Sequence, residues 1–232
     1  MVVEDSHSRI AMFPHDLLNE DLKRRGWASV SLAHENEPSL SQAMAQIGLC
    51  LGTVISRSGD LPVERVSPRG ADDARKSSLS RRFGTGRLPL HCDMAHWIVP
   101  CRYIVLACAD TGRVDSPTTL LDTAKVKFSE SERLLMRSAC FAVRNGQRSF
   151  YATLIDRLRP FVRVDPGCME PLCEDGVAAM NLFGYERHRG DTVMFRWKVG
   201  DILIIDNWRV LHGRGNRAEA DPSRRLLRAY VQ

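Results

Sequence analysis

The sequence predicts a mainly β fold with flanking helices. Helical patterns cluster within residues 13–51, and most later segments are short apolar or alternating runs bounded by turn residues. Strand and helix patterns do not alternate along the chain, so a β-sandwich or β-barrel is favoured over a doubly wound sheet. A chain of 232 residues, of which 44% are hydrophobic, fits one domain over residues 1–232.

The N-terminal segment predicts two helices separated by a strand. Residues 13–26 place leucines at helical intervals and end at Gly26, which is typical of a helix closed by a glycine cap. Residues 27–32 alternate in polarity and predict a short strand. Ser39 and Gln42 form a capping-box pattern before an apolar run, so we expect the second helix to begin there.

A long polar segment follows, over residues 57–87. It is rich in Ser, Arg, Gly and Asp and has little periodicity. A segment of this length inside a compact domain is either disordered or a functional lid, and its position just before His91 favours a lid.

Strand patterns dominate the chain after this loop. Strands are predicted over residues 88–97, 102–110, 118–126 and 224–232, and two more, turning at Gly200-Asp201, within 192–215. Ser129 and Glu132 form a capping box that predicts one further helix. Residues 141–155 carry Asn-Gly between two apolar runs, which is the strongest short signal for a β-hairpin.

Composition narrows the partners and the compartment. The net charge of +5 is mild and the basic residues are scattered, which weakly favours anionic small molecules and predicts no nucleic-acid binding. Neither a signal-peptide pattern nor an apolar run long enough to cross a membrane is present, so we expect no membrane association. The seven cysteines are odd in number and form no CxxC pair, which is typical of reduced thiols in a cytoplasmic protein.

Two histidines and an aspartate form a candidate metal site. In an extended strand, His91 and Asp93 would point to the same face, as two ligands of one ion would. A His-x-Asp pair alone is weak evidence, but His212 ends a strongly apolar strand late in the chain. Two imidazoles and one carboxylate are the facial triad of non-haem iron(II), which leaves coordination positions open.

An arginine strand predicts an anion beside this site. Arg224 and Arg228 lie four residues apart in the last strand and therefore share a face. A guanidinium that faces a barrel interior favours a carboxylate partner, and Thr118 or Thr119 could supply a hydroxyl donor to the same anion. Arg225, on the opposite face, is the main rival to Arg224.

Two other segments allow two interpretations each. Residues 163–171 alternate Arg163 and Asp165 before a turn, and they form either a turn scaffold or a substrate-binding loop. His96 and Trp97 follow the HCD motif closely, and they either line a substrate pocket or pack in the core.

Four motifs in this order give the chain a family resemblance. They are HCD at 91–93, TTLLD at 118–122, DNWRVLHGR at 206–214 and RRLLRAYV at 224–231. Together they resemble the taurine dioxygenase and clavaminate synthase-like superfamily of iron(II)- and 2-oxoglutarate-dependent oxygenases, over about residues 85–232. The resemblance implies a distorted double-stranded β-helix, which is a jelly-roll, cupin-like fold.

The resemblance also implies roles for single residues. His91, Asp93 and His212 would bind iron(II), and 2-oxoglutarate and O2 would be the cosubstrates. The distal carboxylate of 2-oxoglutarate would pair with Arg224 and Thr118. Arg228 would contact either the cosubstrate or an anionic group of the substrate.

The implied reaction is hydroxylation or desaturation of a small polar substrate, an amino acid or related carboxylate of secondary metabolism, with release of succinate and CO2. Halogenation is disfavoured because halogenating relatives lack the carboxylate that Asp93 provides. The alternative is a non-catalytic β-helix module that senses or stores a metal or an organic acid. A zinc hydrolase is disfavoured because no Glu base stands beside His91 and the arginine strand would have no role.

Overall fold

The computed structural model describes residues 15–32, 36–56, 62–74, 78–156, 158–215 and 219–232. Within them the protein is mainly β with flanking helices, as predicted. The strands are β1 Trp27–Ser31, β2 Val54–Ile55, β3 Val63–Val66, β4 Tyr103–Asp110, β5 Thr118–Asp122, β6 Phe141–Asn145, β7 Arg148–Ala152, β8 Met169–Pro171, β9 Val193–Phe195, β10 Asp201–Asp206, β11 Val210–Arg214 and β12 Arg225–Val231. The helices are α1 His15–Arg25, α2 Glu37–Leu51, α3 Leu79–Phe83, α4 Glu130–Ser138 and α5 Glu174–Asn181. Over the same ranges, none of the helices is long and apolar enough to cross a membrane.

The largest sheet has the strand order β1-β10-β4-β12-β2, with β3 also paired to β12, and all its pairings are antiparallel. Because side chains alternate along β12, Leu227 and Ala229 pack against α2 on one face. Arg228 and Tyr230 point to the opposite face, where they line a cavity. This sheet therefore separates a hydrophobic layer under α2 from a polar interior.

Two three-stranded sheets complete the fold. The order β11-β5-β9 places His212 opposite Leu120 and Arg214 opposite Thr118. The order β7-β6-β8 contains the predicted hairpin, which turns at Gly146 with a φ of 61°. A separate core, centred on residues such as Phe141 and Leu211, fills the space between the two sheets.

The predicted strand over residues 88–97 is wrong. His91 makes a single bridge to His212, and the chain then turns through residues 93–96, with Met94 at a φ of 58°. The backbone groups of Asp93 bond to the side chain of Asn207 instead of a neighbouring strand, which is why the ladder stops there.

Two other sequence predictions need correction. The second helix begins earlier than Ser39, because the Asn36 side chain accepts a hydrogen bond from the Ser39 backbone N–H at 3.0 Å and caps α2. The segment 192–215 forms three strands instead of two. At Gly200, with a φ of 93°, the position of an added Cβ would lie 2.0 Å from the Leu32 carbonyl oxygen, so the chain passes from β9 to β10 only with glycine there.

The polar segment 57–87 contains the strand β3 and the short helix α3, which the sequence did not predict. β3 pairs with β12, and both elements contribute residues to the wall of the cavity. Residues 57–61 and 75–77 lie outside the described ranges. The lid function of this segment and the single-domain boundary over residues 1–232 stay predictions.

Candidate metal centre

Backbone pairing brings the two candidate histidine ligands together. The His91 N–H donates to the His212 carbonyl and the His212 N–H donates to the His91 carbonyl, each at 2.9 Å. The two imidazole rings consequently lie with their centroids 4.4 Å apart. Strand β11, late in the chain, thus fixes the position of His91, which follows the polar segment 57–87.

Asp93 completes a compact set of three ligand atoms. Its Oδ1 lies 3.5 Å from His91 Nε2 and 3.8 Å from His212 Nε2. Ligands bound to one ion at about 2.1 Å lie roughly 3 Å apart, so a small contraction of the set would suit a single transition-metal ion. Within the described ranges, this is the group of histidine, cysteine and acidic side chains that could hold a metal ion.

The ring nitrogens of the two histidines are placed for metal binding. His91 Nδ1 lies 2.9 Å from the Pro89 carbonyl, so Nδ1–H donates there and Nε2 is directed at Asp93. Burial opposes protonation of His91, but the hydrogen bond to Asp93 raises its pKa. Burial lowers the pKa of His212 to about 3, and the neighbouring His91 and Arg228 act in the same direction. His212 is therefore neutral, which is the form that binds a metal.

The outer oxygen of Asp93 is held by two donors. Arg228 Nη1 donates to Asp93 Oδ2 at 3.1 Å and the Tyr230 hydroxyl donates at 3.0 Å. Burial opposes ionisation, but Arg228 and the two histidines hold the pKa of Asp93 well below its ordinary value. Arg228 also donates to Glu64 on β3 at 3.3 Å. Oδ1 is thereby left as the monodentate, charged ligand atom of Asp93.

Asn207 fixes the backbone of Asp93 from the turn between β10 and β11. Its Oδ1 accepts from the Asp93 N–H at 2.8 Å, and its Nδ2 donates to the carbonyls of Asp93 and Cys101 at 3.0 and 2.8 Å. Asn207 is buried and replaces the strand partner that Asp93 lacks. Sequence analysis missed this role, although the DNW motif contains the residue.

Replacing Asn207 by aspartate is expected to lower iron(II) affinity 10- to 100-fold, a range typical of residues that orient a metal ligand. Aspartate keeps the acceptor for the Asp93 N–H but loses both donations to carbonyl groups. Iron(II) titration against a competing chelator measures the loss. A variant that matches the wild type in iron affinity, with an equal melting temperature, would contradict this positioning role.

Arg163 supports the turn that follows Asp93. Its buried guanidinium donates to the carbonyls of Ala95, Trp97 and Ile98, the last two at 2.6 and 2.8 Å. For this residue the structure favours the turn-scaffold interpretation of the segment 163–171. Asp165, in contrast, lines the cavity.

A second group of residues in the same cavity has the chemistry to hold an anion. Arg224 is buried, and its Nη2 has no hydrogen-bond partner in the part of the chain that the structure describes. Burial lowers its pKa to about 10, which reflects a cation that lacks a counter-charge. Thr118 Oγ1 accepts from Trp197 Nε1 at 2.9 Å, so its hydroxyl hydrogen remains available to a ligand.

The structure distinguishes Thr118 and Arg224 from the alternative residues, Thr119 and Arg225. Thr119 bonds to the sulfur of Met194 and does not line the cavity. Arg225 is half-exposed and lies 3.6 Å from Asp110. Arg214, which lines the cavity next to Arg224, donates to the carbonyls of Gly86 and Gly84 at 2.8 and 2.6 Å and so anchors the end of the 57–87 segment.

The cavity has a volume of about 320 Å³ and brings the predicted residues together. Its wall includes the following predicted side chains: His91, Asp93, His212, Thr118, Arg224 and Arg228. His96 also lines it, whereas Trp97 packs against the core. Glu64 and residues of α3 close it on the side of the 57–87 segment.

Solved structures with the same fold are oxygenases. AsnO, asparagine oxygenase, is 20% identical, covers 94% of this chain and 76% of its own, and has a TM-score of 0.71. The non-haem iron oxygenase OrfP is 17% identical; the match covers 94% of this chain and 80% of OrfP, with a TM-score of 0.69. PvcB from Pseudomonas aeruginosa is an Fe, alpha-ketoglutarate dependent oxygenase from an isonitrile synthetic pathway. It is 19% identical, and the match covers 96% of this chain and 81% of PvcB with a TM-score of 0.66. At these identities the similarity establishes the fold.

Sequence comparison adds a family match. Residues 143–230 match the model of the taurine catabolism dioxygenase TauD, TfdA family. The predicted family resemblance is confirmed. Among curated protein sequences, none matches the chain significantly. The TauD, TfdA family and the structural neighbours are iron- and 2-oxoglutarate-dependent oxygenases, which is the enzyme class that the motifs predict.

The TauD, TfdA match covers only part of the site. It contains His212, Arg224 and Arg228, whereas His91 and Asp93 precede it. The place of these two residues beside His212 therefore depends on the geometry described above. The three ligand types and the neighbouring anion site fit iron(II) with 2-oxoglutarate.

Proposed function

We propose that this chain is a dioxygenase that uses iron(II), 2-oxoglutarate and O2 to hydroxylate, or desaturate, an unactivated C–H bond of a small polar substrate, with release of succinate and CO2. The observation that carries the proposal is the buried His91, Asp93 and His212 set in one cavity with Arg224, a buried cation that has no acidic partner among the described residues. A binding site for a metal alone would have no use for such a cation.

In this proposal each group has one role. His91 Nε2, Asp93 Oδ1 and His212 Nε2 hold iron(II), which with 2-oxoglutarate activates oxygen when both are bound. Arg224 and the Thr118 hydroxyl bind the distal carboxylate of 2-oxoglutarate, because a buried guanidinium and a free hydroxyl hydrogen together suit a carboxylate. Asn207 and Tyr230 keep Asp93 oriented while substrate enters and product leaves.

Arg228 is assigned to an anionic group of the substrate. It lies beside Asp93 and Glu64, and its Nε has no partner among the residues that the structure describes. A substrate carboxylate at this Nε would lie near Asp93, whose outer oxygen Arg228 already holds. Such a contact would suit an amino acid or related carboxylate, in secondary metabolism, which is the substrate class that we propose.

The relatives agree with that class. AsnO has been crystallised with 3-hydroxyasparagine and succinate, and OrfP with hydroxy-L-Arg and succinate.

The finer fold assignment, a distorted double-stranded β-helix of jelly-roll, cupin-like type, belongs to the same proposal. Its support is that β12 from the largest sheet and β5 and β11 from a smaller sheet face one cavity. In this arrangement residues 57–87 act as a lid that excludes water.

The direct test measures succinate formed by purified protein supplied with iron(II), ascorbate, O2 and 2-oxoglutarate, with single L-amino acids added in turn. We expect the wild type to form succinate and one additive or more to raise the rate, because substrate couples to cosubstrate turnover. The His212→Ala variant, which lacks one ligand, should form none. If the wild type binds iron(II) and 2-oxoglutarate but forms no succinate with any additive, the non-catalytic sensor module replaces the proposed enzyme.

A further inference from the structure

One half-buried carboxyl group on the cavity wall has no role in the proposed reaction. Asp165 lines the same cavity as His91 and Asp93 but is not part of the three-ligand set. Its Oδ1 accepts from the Gly167 N–H at 2.7 Å, and the Cys168 thiol also bonds to the carboxyl group. In the described ranges no lysine, arginine or histidine forms an ion pair with it.

The arginines near Asp165 bind elsewhere. Arg163, two residues before it, uses its guanidinium for carbonyl groups of the turn after Asp93. Arg82, from α3, donates to the Pro166 carbonyl at 2.8 Å and not to the Asp165 carboxyl. Burial raises the pKa of Asp165, and the opposing effects of nearby His91 and of the Gly167 N–H do not cancel it.

The cavity wall therefore carries both a cation and an anion close to the metal set. Arg228 lies beside Asp93, at 3.1 Å. Asp165 lies on the side of His91, close enough that its charge contributes to raising the pKa of that histidine. 2-Oxoglutarate is a dianion, which Arg224 can hold. It carries no positive charge, so it cannot act as the counter-ion of Asp165.

We infer that Asp165 binds a positively charged nitrogen of the substrate, and that the substrate is a small molecule with a carboxylate at one end and a cationic nitrogen at the other. This inference rests on the proposed function for its view of the cavity as a substrate site. A carboxylate that the bound substrate covers, and that receives charge-assisted hydrogen bonds from it, also rejects a neutral analogue, because the analogue would leave the carboxylate unpaired. Asp165 is thus a specificity-determining residue.

The test compares ligands that differ mainly in charge. L-arginine is compared with L-citrulline, and 5-aminopentanoate with pentanoate, so one pair carries an α-amino group and the other does not. Binding of each to the iron-loaded protein with 2-oxoglutarate, without oxygen, is measured by calorimetry, and succinate formation is measured separately in air. We expect the cationic member of at least one pair to bind 10- to 100-fold more tightly than its neutral partner.

The Asp165→Asn variant should reduce that preference to about 2-fold or less, while the asparagine Oδ1 still accepts from the Gly167 N–H and preserves the turn. Glu170→Gln, an exposed change in the same segment, should retain the full preference. The inference is overturned if neutral and cationic members bind equally, if none binds, or if Asp165→Asn keeps the preference. Charge-selective binding without succinate formation would instead overturn the proposed function alone.

Discussion

Replacing Asp93 by alanine is expected to abolish iron(II) binding and succinate formation. The change removes one of the three ligand atoms and, with it, the negative charge that lies next to both imidazole rings. It also removes the acceptor for both Arg228 and Tyr230, which leaves the half-buried Arg228 with Glu64 as its acidic partner within the described residues. We expect iron(II) affinity to fall by more than about 100-fold, because the loss of a direct ligand exceeds the loss of an orienting residue.

Glu64→Gln provides the matched control for this prediction. Glu64 and Asp93 both accept from Arg228, but only Asp93 faces the histidines. Iron(II) affinity of Glu64→Gln should therefore stay within about 3-fold of the wild type, as is usual when a charge outside the ligand shell is removed. Chelator competition measures both variants, and circular dichroism checks that each is folded. Equal losses in the two variants would show that the charge of the Arg228 network, and not a metal ligand, sets the affinity.

Elements with local signals were the ones that could be predicted from the sequence. The capping box of Ser129 and Glu132 forms as predicted, and the Asn-Gly turn of the β6-β7 hairpin lies where it was expected. Each depends on residues within a few positions of one another. The supposed strand over residues 88–97 failed because its bonding partner, Asn207, lies more than a hundred residues away in sequence.

The candidate site shows the same division. Residue types and their order pointed to His91, Asp93, His212 and Arg224, the family resemblance added Thr118, and the structure brings all five to one cavity. Residues that act by orienting others, such as Tyr230 and Arg214, carry no recognisable spacing. Their roles come from the register of β12 and β11, which periodicity alone does not fix.

Replacing Arg224 by methionine is expected to raise the KM for 2-oxoglutarate about 100-fold. A bidentate guanidinium and carboxylate pair in a buried site contributes about 3 kcal/mol, which corresponds to that factor. Methionine retains much of the apolar stem, so the cavity wall is preserved. Arg225→Met is the control, since Arg225 is half-exposed and pairs with Asp110 outside the cavity. Its KM for 2-oxoglutarate should change by less than about 2-fold.

Thermal unfolding separates the binding role of Arg224 from a structural one. In the absence of ligand, burial lowers the pKa of Arg224 to about 10, so this cation costs stability and the Arg224→Met protein should melt at the wild-type temperature or above. Added 2-oxoglutarate should raise the melting temperature of iron-loaded wild type and Arg225→Met, since a ligand that binds only the folded state stabilises it. Arg224→Met should lose that increase. A variant that melts early without ligand yet keeps the wild-type KM would show that Arg224 supports the fold, and another cation would then have to bind the cosubstrate.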